Sequence, residues 1–531
     1  MMTATLQAVP DLPTTPEPIM DPALLERLER QLVSSPGAER HTFITPMTGE
    51  VLGDLPLSTL EDVKRAEAAV RGAQAGWAAV PMKEKSAILR RFHDLVLDYQ
   101  DELMDLVQLE AGKTRIQAFE EVADCAIVAR HYAATAARTL APKPKRGVFP
   151  LLTQCVESYL PKGVIGIVSP WNYPLSLAVT DALPALMAGN CVILRPDLQS
   201  PLCALAGVEL LKMAGLPDAV LQVVLGSGST IGAAVLDHAD YVCFTGSTPT
   251  GRRVAQAAAV RLVGASLELG GKNSVYVADD ADLDRAVPGA LRACFSSAGQ
   301  LCISTERLLV HEKVWDAFVP RFVAAVKAMK IGTALEFGFD IGSLASPAQL
   351  RTVTSHVEDA VARGATVLTG GRARPDIGPY VYEPTVLAGV TPEMVCRDEE
   401  TFGPVVSLYK VGDDGEAIAF ANDTEYGLNA SVWTRDVARG RQIAGQIKTG
   451  TVNINEAYAA AWGSVAAPMG GMKASGMGRR HGDEGILRFT ESQNVTAQRL
   501  IPIAPAMGLS DEAFTKVLTV ALKVMKGAGL Q

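Results

Sequence analysis

The sequence predicts an α/β protein with two doubly wound parallel sheets. Short β-branched runs at 164–169, 192–194, 220–225 and 241–244 are separated by Ala- and Leu-rich segments of helical period. Strands alternating with helices imply a parallel sheet covered on both faces. A second alternation follows, with a helix from 286 to 298, strand 307–310, helices 314–329 and 347–363, and strand 366–369. The length, 531 residues, suffices for two or three domains, and the boundary between the two α/β units is expected near 285–300.

The flanking elements follow from local pattern. Residues 1–36 read as a loose, Pro-rich arm with one helix at 22–32, where Pro22 suits the first turn. From 63 to 111 apolar residues recur every three or four positions with Glu and Lys between them, which predicts helix. Alternation around 147–160 predicts a strand or hairpin. Near the C-terminus, a helix over 511–525 sets Phe514, Val517, Leu518, Ala521, Leu522 and Met525 on one face. Its expected role is packing on the body or on a neighbouring subunit, since Lys516, Lys523 and Lys526 alone make weak membrane anchors.

One stretch has the length of a membrane span: between 163 and 194 the only formal charge is Asp181. Pro170, Pro174 and Pro184 interrupt it, and Gly189-Asn190 turns within it, so a strand, a loop, a helix and another strand describe it better. The net charge of −9 excludes general phosphate-backbone binding, and the longest basic run, Lys143-Pro-Lys145-Arg146, is too short to restore it. The eight cysteines include no CxxC pair and none lies at zinc-ligand spacing from a histidine, so no metal site is expected. Reduced thiols in apolar runs and a polar N-terminus without a signal-peptide pattern fit the cytoplasm.

Two Gly-rich segments follow strands. Phe244-Thr-Gly-Ser-Thr-Pro-Thr-Gly251 precedes a helical run, and Leu225-Gly-Ser-Gly-Ser-Thr-Ile-Gly232 holds the equivalent place after the preceding strand. Backbone N–H groups at such helix starts can hold a pyrophosphate, although neither segment has G-x-G-x-x-G spacing and each also reads as an ordinary turn. Elsewhere, Gly299-Gln-Leu-Cys302 sets a cysteine after a small, polar turn instead of inside an apolar run. Leu267-Glu-Leu-Gly-Gly271 sets a carboxylate before a Gly pair, and Pro170-Trp-Asn-Tyr-Pro174 braces an amide between prolines. Thiolate, carboxylate and amide together suit one chemistry: attack on an electrophilic carbon, stabilisation of an oxyanion, and activation of water. Read singly, each has a structural meaning as well: a buried thiol, a solvated turn and a rigid loop.

These motifs, with Glu400-Thr-Phe-Gly-Pro404 and Pro468-Met-Gly-Gly-Met-Lys-Ala-Ser-Gly476, resemble the ordered signature of aldehyde dehydrogenases over residues 37–500. Gly189-Asn190, Ala293-Cys-Phe-Ser296 and Ser475-Gly-Met-Gly-Arg-Arg-His-Gly482 are most similar to NADP-dependent succinate-semialdehyde dehydrogenases of the actinobacterial type. The resemblance implies two Rossmann-like domains and a small β arm that joins subunits into a dimer or tetramer. In this sequence they correspond to a dinucleotide-binding domain (37–146 and 161–288), a catalytic domain (289–468) and an arm (147–160 and 490–501), followed by the helical tail 502–531.

It implies roles as well. Cys302 is the expected nucleophile, Asn172 and the Cys302 N–H the oxyanion hole, and Glu268 the base for the deacylating water. Trp171, Arg195, Gly228, Gly232, Gly246, Ser247, Glu400 and Phe402 are the expected cofactor contacts. The expected substrate is a small aldehyde, succinate semialdehyde first, with a medium-chain, long-chain or aromatic aldehyde as the alternative. A non-catalytic protein on the same scaffold would have lost Cys302, Glu268 or Asn172, and all three are present.

The chain also departs from the family pattern. Many NAD-using members carry Lys and, three residues on, Glu after the second strand; here Arg195 and Leu198 stand there. Without that carboxylate a 2′-phosphate is not repelled, which favours NADP over NAD. The arginines that receive a substrate carboxylate in well-known members are replaced by Thr180 and Ser296. Arg292, Arg307 and Arg479 are the substitutes in sequence, and Tyr458 with Trp462 would line an apolar approach.

Overall fold

The computed structural model describes residues 19–149, 152–499 and 502–529. The Pro-rich stretch 1–18 of the expected arm therefore lies outside the described residues. Helix Pro22–Glu29 starts as read, with Pro22 in its first turn and the Asp21 carboxylate accepting from the Ala23 N–H. It stops short of residue 32 because Leu32 bridges to Val223 and the Val33 N–H donates to the Val223 carbonyl.

The helical pattern from 63 to 111 is three helices, Leu60–Ala79, Met82–Asp98 and Gln100–Ala111. A Thr59–Asp62 capping box starts the first, and Gly112, at φ +69°, ends the third. The later strands Thr385–Ala388, Val405–Val411, Asn429–Trp433 and Thr451–Ile454 were not anticipated, nor, in this N-terminal part, were the hairpin Arg40–Ile44 with Val51–Pro56 and the 25-residue helix Arg115–Thr139. That helix carries Glu120, Glu121 and Asp124 towards the centre of the molecule.

The first sheet has six strands in the order Gly476–Met477, Gly264–Glu268, Tyr241–Thr245, Val164–Val168, Cys191–Arg195 and Leu221–Val223. All neighbours are parallel except the short edge pair Gly476–Met477 with Gly264–Glu268. The chain enters at Val164–Val168, winds to one side, then returns to build the other. The order reverses between Val164–Val168 and Tyr241–Thr245, the place where doubly wound sheets open a crevice at their carboxyl ends.

The second sheet has seven strands in the order Thr366–Thr369, Thr385–Ala388, Val405–Val411, Thr305–His311, Asn273–Val277, Asn429–Trp433 and Thr451–Ile454. Only its outermost pair is antiparallel. Asn273–Val277 pairs on both sides inside this sheet, so the chain crosses over at 270–272, ahead of the 285–300 expected from pattern. The run Asn-Ser-Val-Tyr-Val follows the Gly270-Gly271 pair after Lys272, and no helix separates it from Gly264–Glu268.

The hairpin expected at 147–160 begins earlier: Lys143–Arg146 pairs with Thr153–Pro161. Thr490–Gln498 adds a third antiparallel strand, from Thr490 opposite Pro161 to Gln498 opposite Thr153. The C-terminal segment Asp511–Gly527 is helical as read, yet none of its residues is buried, and Val517, Val520 and Val524 are more than half exposed. Among the described residues no helix is long and apolar enough to cross a membrane.

Candidate active site

The carboxyl ends of the first sheet gather the candidate residues. The loop Pro170-Trp-Asn-Tyr-Pro174 follows Val164–Val168, Arg195 closes Cys191–Arg195, Gly246 and Ser247 follow Tyr241–Thr245, and Glu268 closes Gly264–Glu268. Trp171, Arg195, Gly228, Gly232, Gly246 and Ser247 line one long cleft. The glycines differ in purpose. A Cβ on Gly246 would stand 2.7 Å from the Phe244 ring, so protein packing requires it. At Gly228 and Gly232 the nearest atoms would be 3.9 Å away, so nothing in the protein forbids a side chain, which would take up cleft space. Both lie on a single turn, Gly228–Gly232, that runs into helix Ala233–His238 and starts with the Ser227 hydroxyl accepting from the Thr230 N–H. That arrangement suits a pyrophosphate.

Arg195 is buried and tethered. Its Nε and Nη2 donate to the Gly226 carbonyl at 2.9 and 2.7 Å, and its Nη1 to Asp197 at 3.2 Å. Leu198 packs on the core, whereas Asp197, Asp237 and Arg253 line the cleft.

Cys302 follows a strained turn: Ser297 and Ala298 both have φ +52°, and Gly299 has φ +72°. A Cβ on Gly299 would lie 2.0 Å from the Gly403 carbonyl oxygen, so the turn is pressed against the 400–404 segment. The Gly pair after Glu268 has the same logic. A Cβ on Gly270 would meet a Glu400 oxygen at 2.3 Å, and one on Gly271 the Cys302 carbonyl at 2.7 Å. The Gly271 N–H donates to Glu400 at 2.9 Å, and the Asn273 amide donates to the Cys302 carbonyl at 2.8 Å. Asn172 donates to the Gln300 carbonyl at 3.0 Å, two residues before the thiol. Phe402, at φ +52°, packs edge-on against Trp171. Its N–H and that of Thr401 donate to Glu306, whose partner is the buried Lys272.

Two pockets meet at these groups. One continues the cleft past Trp171 to Gly270, Glu400 and Phe402; the other opens among Tyr173, Leu177, Tyr458 and Trp462. Asn172, Thr245, Glu268 and Cys302 line both. A thiol reached from two sides, with a carboxylate beside it, is the arrangement a covalent hydride-transfer enzyme needs. The aldehyde dehydrogenase family model matches residues 33–495. This chain belongs to the aldehyde dehydrogenase family. It is 51% identical over 483 residues, 91% of this chain and 93% of the other, to a Mycobacterium tuberculosis protein named "Putative succinate-semialdehyde dehydrogenase [NADP(+)] 2". A glutarate-semialdehyde dehydrogenase of Pseudomonas putida is 38% identical over 84% of this chain and 92% of its own. The crystal structure of succinate-semialdehyde dehydrogenase from Burkholderia pseudomallei superposes with a TM-score of 0.84 at 35% identity, covering 90% of this chain and 99% of that one.

The electrostatics of this aldehyde dehydrogenase are dominated by burial. Desolvation pushes the Cys302 thiol up to about 12, with Glu268 and Glu400 adding to the rise. Glu268 is raised to about 7 by burial, opposed mainly by Arg480 and Arg488. Burial likewise raises Glu400 to about 8, helped by the charge of Glu306.

Of the arginines offered by sequence, Arg307 is fully buried and donates to the carbonyls of Lys272, Phe420, Ala421 and Asp423, so it braces the second sheet and is no substrate contact. Arg479 donates to the Gly471 and Gly478 carbonyls. Arg292 lies 5.0 Å over the Tyr458 ring and pairs with Glu120 and Glu456. Tyr458 donates to Glu120, which lines the second pocket with Tyr458 and Trp462.

Sequence reasoning missed Arg480, Arg488 and Asp124. Arg480 and Asp124 line the pocket of Tyr173, Leu177, Tyr458 and Trp462, and both arginines bond Asp181. The missed signal was Asp181 itself: a lone charge in a long apolar stretch has to find a partner.

Proposed function

We propose that this aldehyde dehydrogenase oxidises succinate semialdehyde to succinate with NADP as hydride acceptor, through covalent chemistry at Cys302. The observation that carries the reading is the sharing of Asn172, Glu268 and Cys302 by both pockets. The Cys302 sulfur attacks the aldehyde carbon, a C–S bond forms, and the carbonyl electron pair moves to oxygen. The Asn172 amide, which has a second N–H besides the one on Gln300, and the Cys302 N–H donate to that oxyanion. NADP, when bound in the cleft, supplies the acceptor for the hydride that leaves the same carbon, and a thioester remains on Cys302. Glu268 then takes a proton from water, whose oxygen adds to the thioester carbon, and the C–S bond breaks to return the thiolate.

Three further points support the finer reading. Semialdehydes of two ω-carboxylic acids are named for the relatives. Arg292, paired with Glu120 and Glu456, lies over the Tyr458 ring one helical turn before Ser296, where other members carry arginine. Leu198 packs on the core, Arg195 and Arg253 stand in the cleft beside Asp197 and Asp237, and the open glycines at 228 and 232 leave room for the cofactor. The segments 37–146 and 161–269 serve the dinucleotide, and 273–468, which begins with the strand Asn273–Val277 inside the second sheet, serves catalysis. The strand Thr490–Gln498, exposed along nearly its whole length, joins subunits in a dimer or tetramer in the cytoplasm.

A spectrophotometric panel tests the proposal: NAD and NADP, each with succinate semialdehyde, hexanal, decanal and benzaldehyde, compared by kcat/KM. Succinate semialdehyde with NADP should lead. A preference for decanal or benzaldehyde above tenfold overturns the substrate, and dehydrogenase activity in Cys302→Ala overturns the chemistry.

A further inference from the structure

Asp181 is the only formal charge between 163 and 194, and it is buried. One of its oxygens accepts from Arg480 Nε at 2.9 Å and from Arg488 Nη2 at 2.6 Å. Arg480 Nη2 donates to the Thr180 hydroxyl at 2.7 Å, and Arg488 Nη1 to the Ser266 hydroxyl at 2.6 Å. Two buried cations thus share one buried anion, leaving one positive charge uncompensated within the cluster. Such an excess is costly in a dry interior unless another anion stands close.

Glu268 stands close. It lines the same pocket as Arg480, and among the described residues its Oε1 has no hydrogen-bond partner. A second carboxyl in that pocket, Asp124, accepts from the Ser176 hydroxyl through one oxygen at 2.5 Å and leaves the other unpartnered. Among the described residues neither carboxylate forms an ion pair, so cations act on them through the field, chiefly that of the Arg480 guanidinium held in place by Asp181 and Thr180.

We propose that Arg480 is a positioning residue for deacylation, the fixed cation whose field lets Glu268 give up its proton inside a desolvated pocket. The proposal rests on Glu268 being the base. The charged and titratable groups around Glu268 are Arg479 and Arg480 on the segment before helix Gly482–Leu487, Arg488 after it, Asp181, Cys243 and Cys302, with Glu120, Asp124, Tyr173, Tyr458 and His481 in the same pocket and Glu400 in the adjoining one. Of the cations, Arg480 opposes the burial of Glu268 most, and it also opposes those of Asp124 and Cys302. A guanidinium stays protonated through the whole working range, so it acts as a constant field and does not itself carry the proton away.

The test compares wild type, Arg480→Gln and Arg480→Lys by the pH dependence of steady-state turnover and of the pre-steady-state burst of reduced cofactor. Arg480→Gln should move the acidic limb of turnover upward by about one pH unit or more, a loss of at least about fivefold at about pH 7 that approaches about tenfold or more on the acid side and recovers on the alkaline side. A burst should persist, and Arg480→Lys should restore most of the limb. Thr180→Val, which removes only the hydroxyl holding Arg480, should move the limb in the same direction by less, and serves where Arg480→Gln does not fold. A limb that stays in place in the folded variant overturns the proposal, as does a loss independent of pH. A rise in KM for succinate semialdehyde but not for propanal, with the limb unmoved, would make Arg480 a substrate contact instead. Glu268→Gln separates the two readings: if it leaves turnover and its acidic limb intact, the base assignment fails; if it removes both while Arg480→Gln shifts nothing, only the role of Arg480 fails.

Discussion

Lys272 and Glu306 form an ion pair with side chains 1% and 5% exposed, directly beneath the cofactor-side wall of the site. Lys272 also donates to the Glu399 carbonyl at 2.7 Å, and Glu306 accepts from the N–H groups of Thr401 and Phe402 at 3.0 Å. Lys272→Met removes the cation and leaves the carboxylate buried with two amide donors as partners. Breaking a buried pair from one side costs about 3–5 kcal/mol, whereas removing both charges together is often close to neutral. Lys272→Met should therefore lose about that much, and Lys272→Met/Glu306→Gln should recover most of it. A protein of this size commonly unfolds irreversibly, so thermal inactivation half-lives of the four members of the cycle are the appropriate measure. The loop that the pair holds carries Glu400 and packs Phe402 on Trp171, so cofactor affinity should fall in parallel with stability in the single variant. If the double variant is no more stable than Lys272→Met, the loss comes from packing around the lysine stem and the electrostatic argument is wrong.

Other outcomes follow from the same geometry. With Glu268 raised to about 7, the base is protonated below that pH, so deacylation-limited turnover should fall about tenfold per pH unit beneath it; a flat profile from pH 5.5 to 7 would contradict this. Gly299→Ala combines φ +72° with a Cβ 2.0 Å from the Gly403 oxygen, and should lose about 2 kcal/mol or more together with most activity; normal turnover would show that the turn relaxes freely. Arg292→Ala should raise KM for succinate semialdehyde at least tenfold and leave butanal unaffected, read from initial rates; equal effects on both would assign Arg292 to packing on Tyr458.

The two-sheet plan was legible because period and punctuation survive in the sequence: four of the six strands of the first sheet fall within a few residues of a β-branched run, whereas Gly264–Glu268 and Gly476–Met477 have none. The crossover at 270–272 was not, because it rests on which sheet Asn273–Val277 joins, a choice made by distant partners at 305–311 and 429–433. The hairpin at 40–56 and the helix at 115–139 escaped for a similar reason. Helix Arg115–Thr139 buries polar residues such as Glu121 and Asp124 along with its apolar ones, which blurs the amphipathic period. In the site, Cys302, Glu268 and Asn172 stood out by motif, and the folded chain sets all three on both pockets. Arg307 looked available in sequence and proves to be locked onto four backbone carbonyls, something no spacing rule reports.

Asp181 joins the two halves of that lesson. Its isolation in an apolar stretch was visible, but its partners lie some 300 residues away, in a run of glycines and basic residues that reads as a surface turn. Burial alone would keep both the thiol and the carboxylate of this site protonated near neutrality. A cation that is fixed, near and bonded to neither favours ionisation of each in turn. Arg480 meets those conditions because Asp181 and Thr180 hold its guanidinium away from direct pairing with Glu268. A direct ion pair would hold the carboxylate in its charged form at the expense of its basicity, and a more distant cation would leave it protonated.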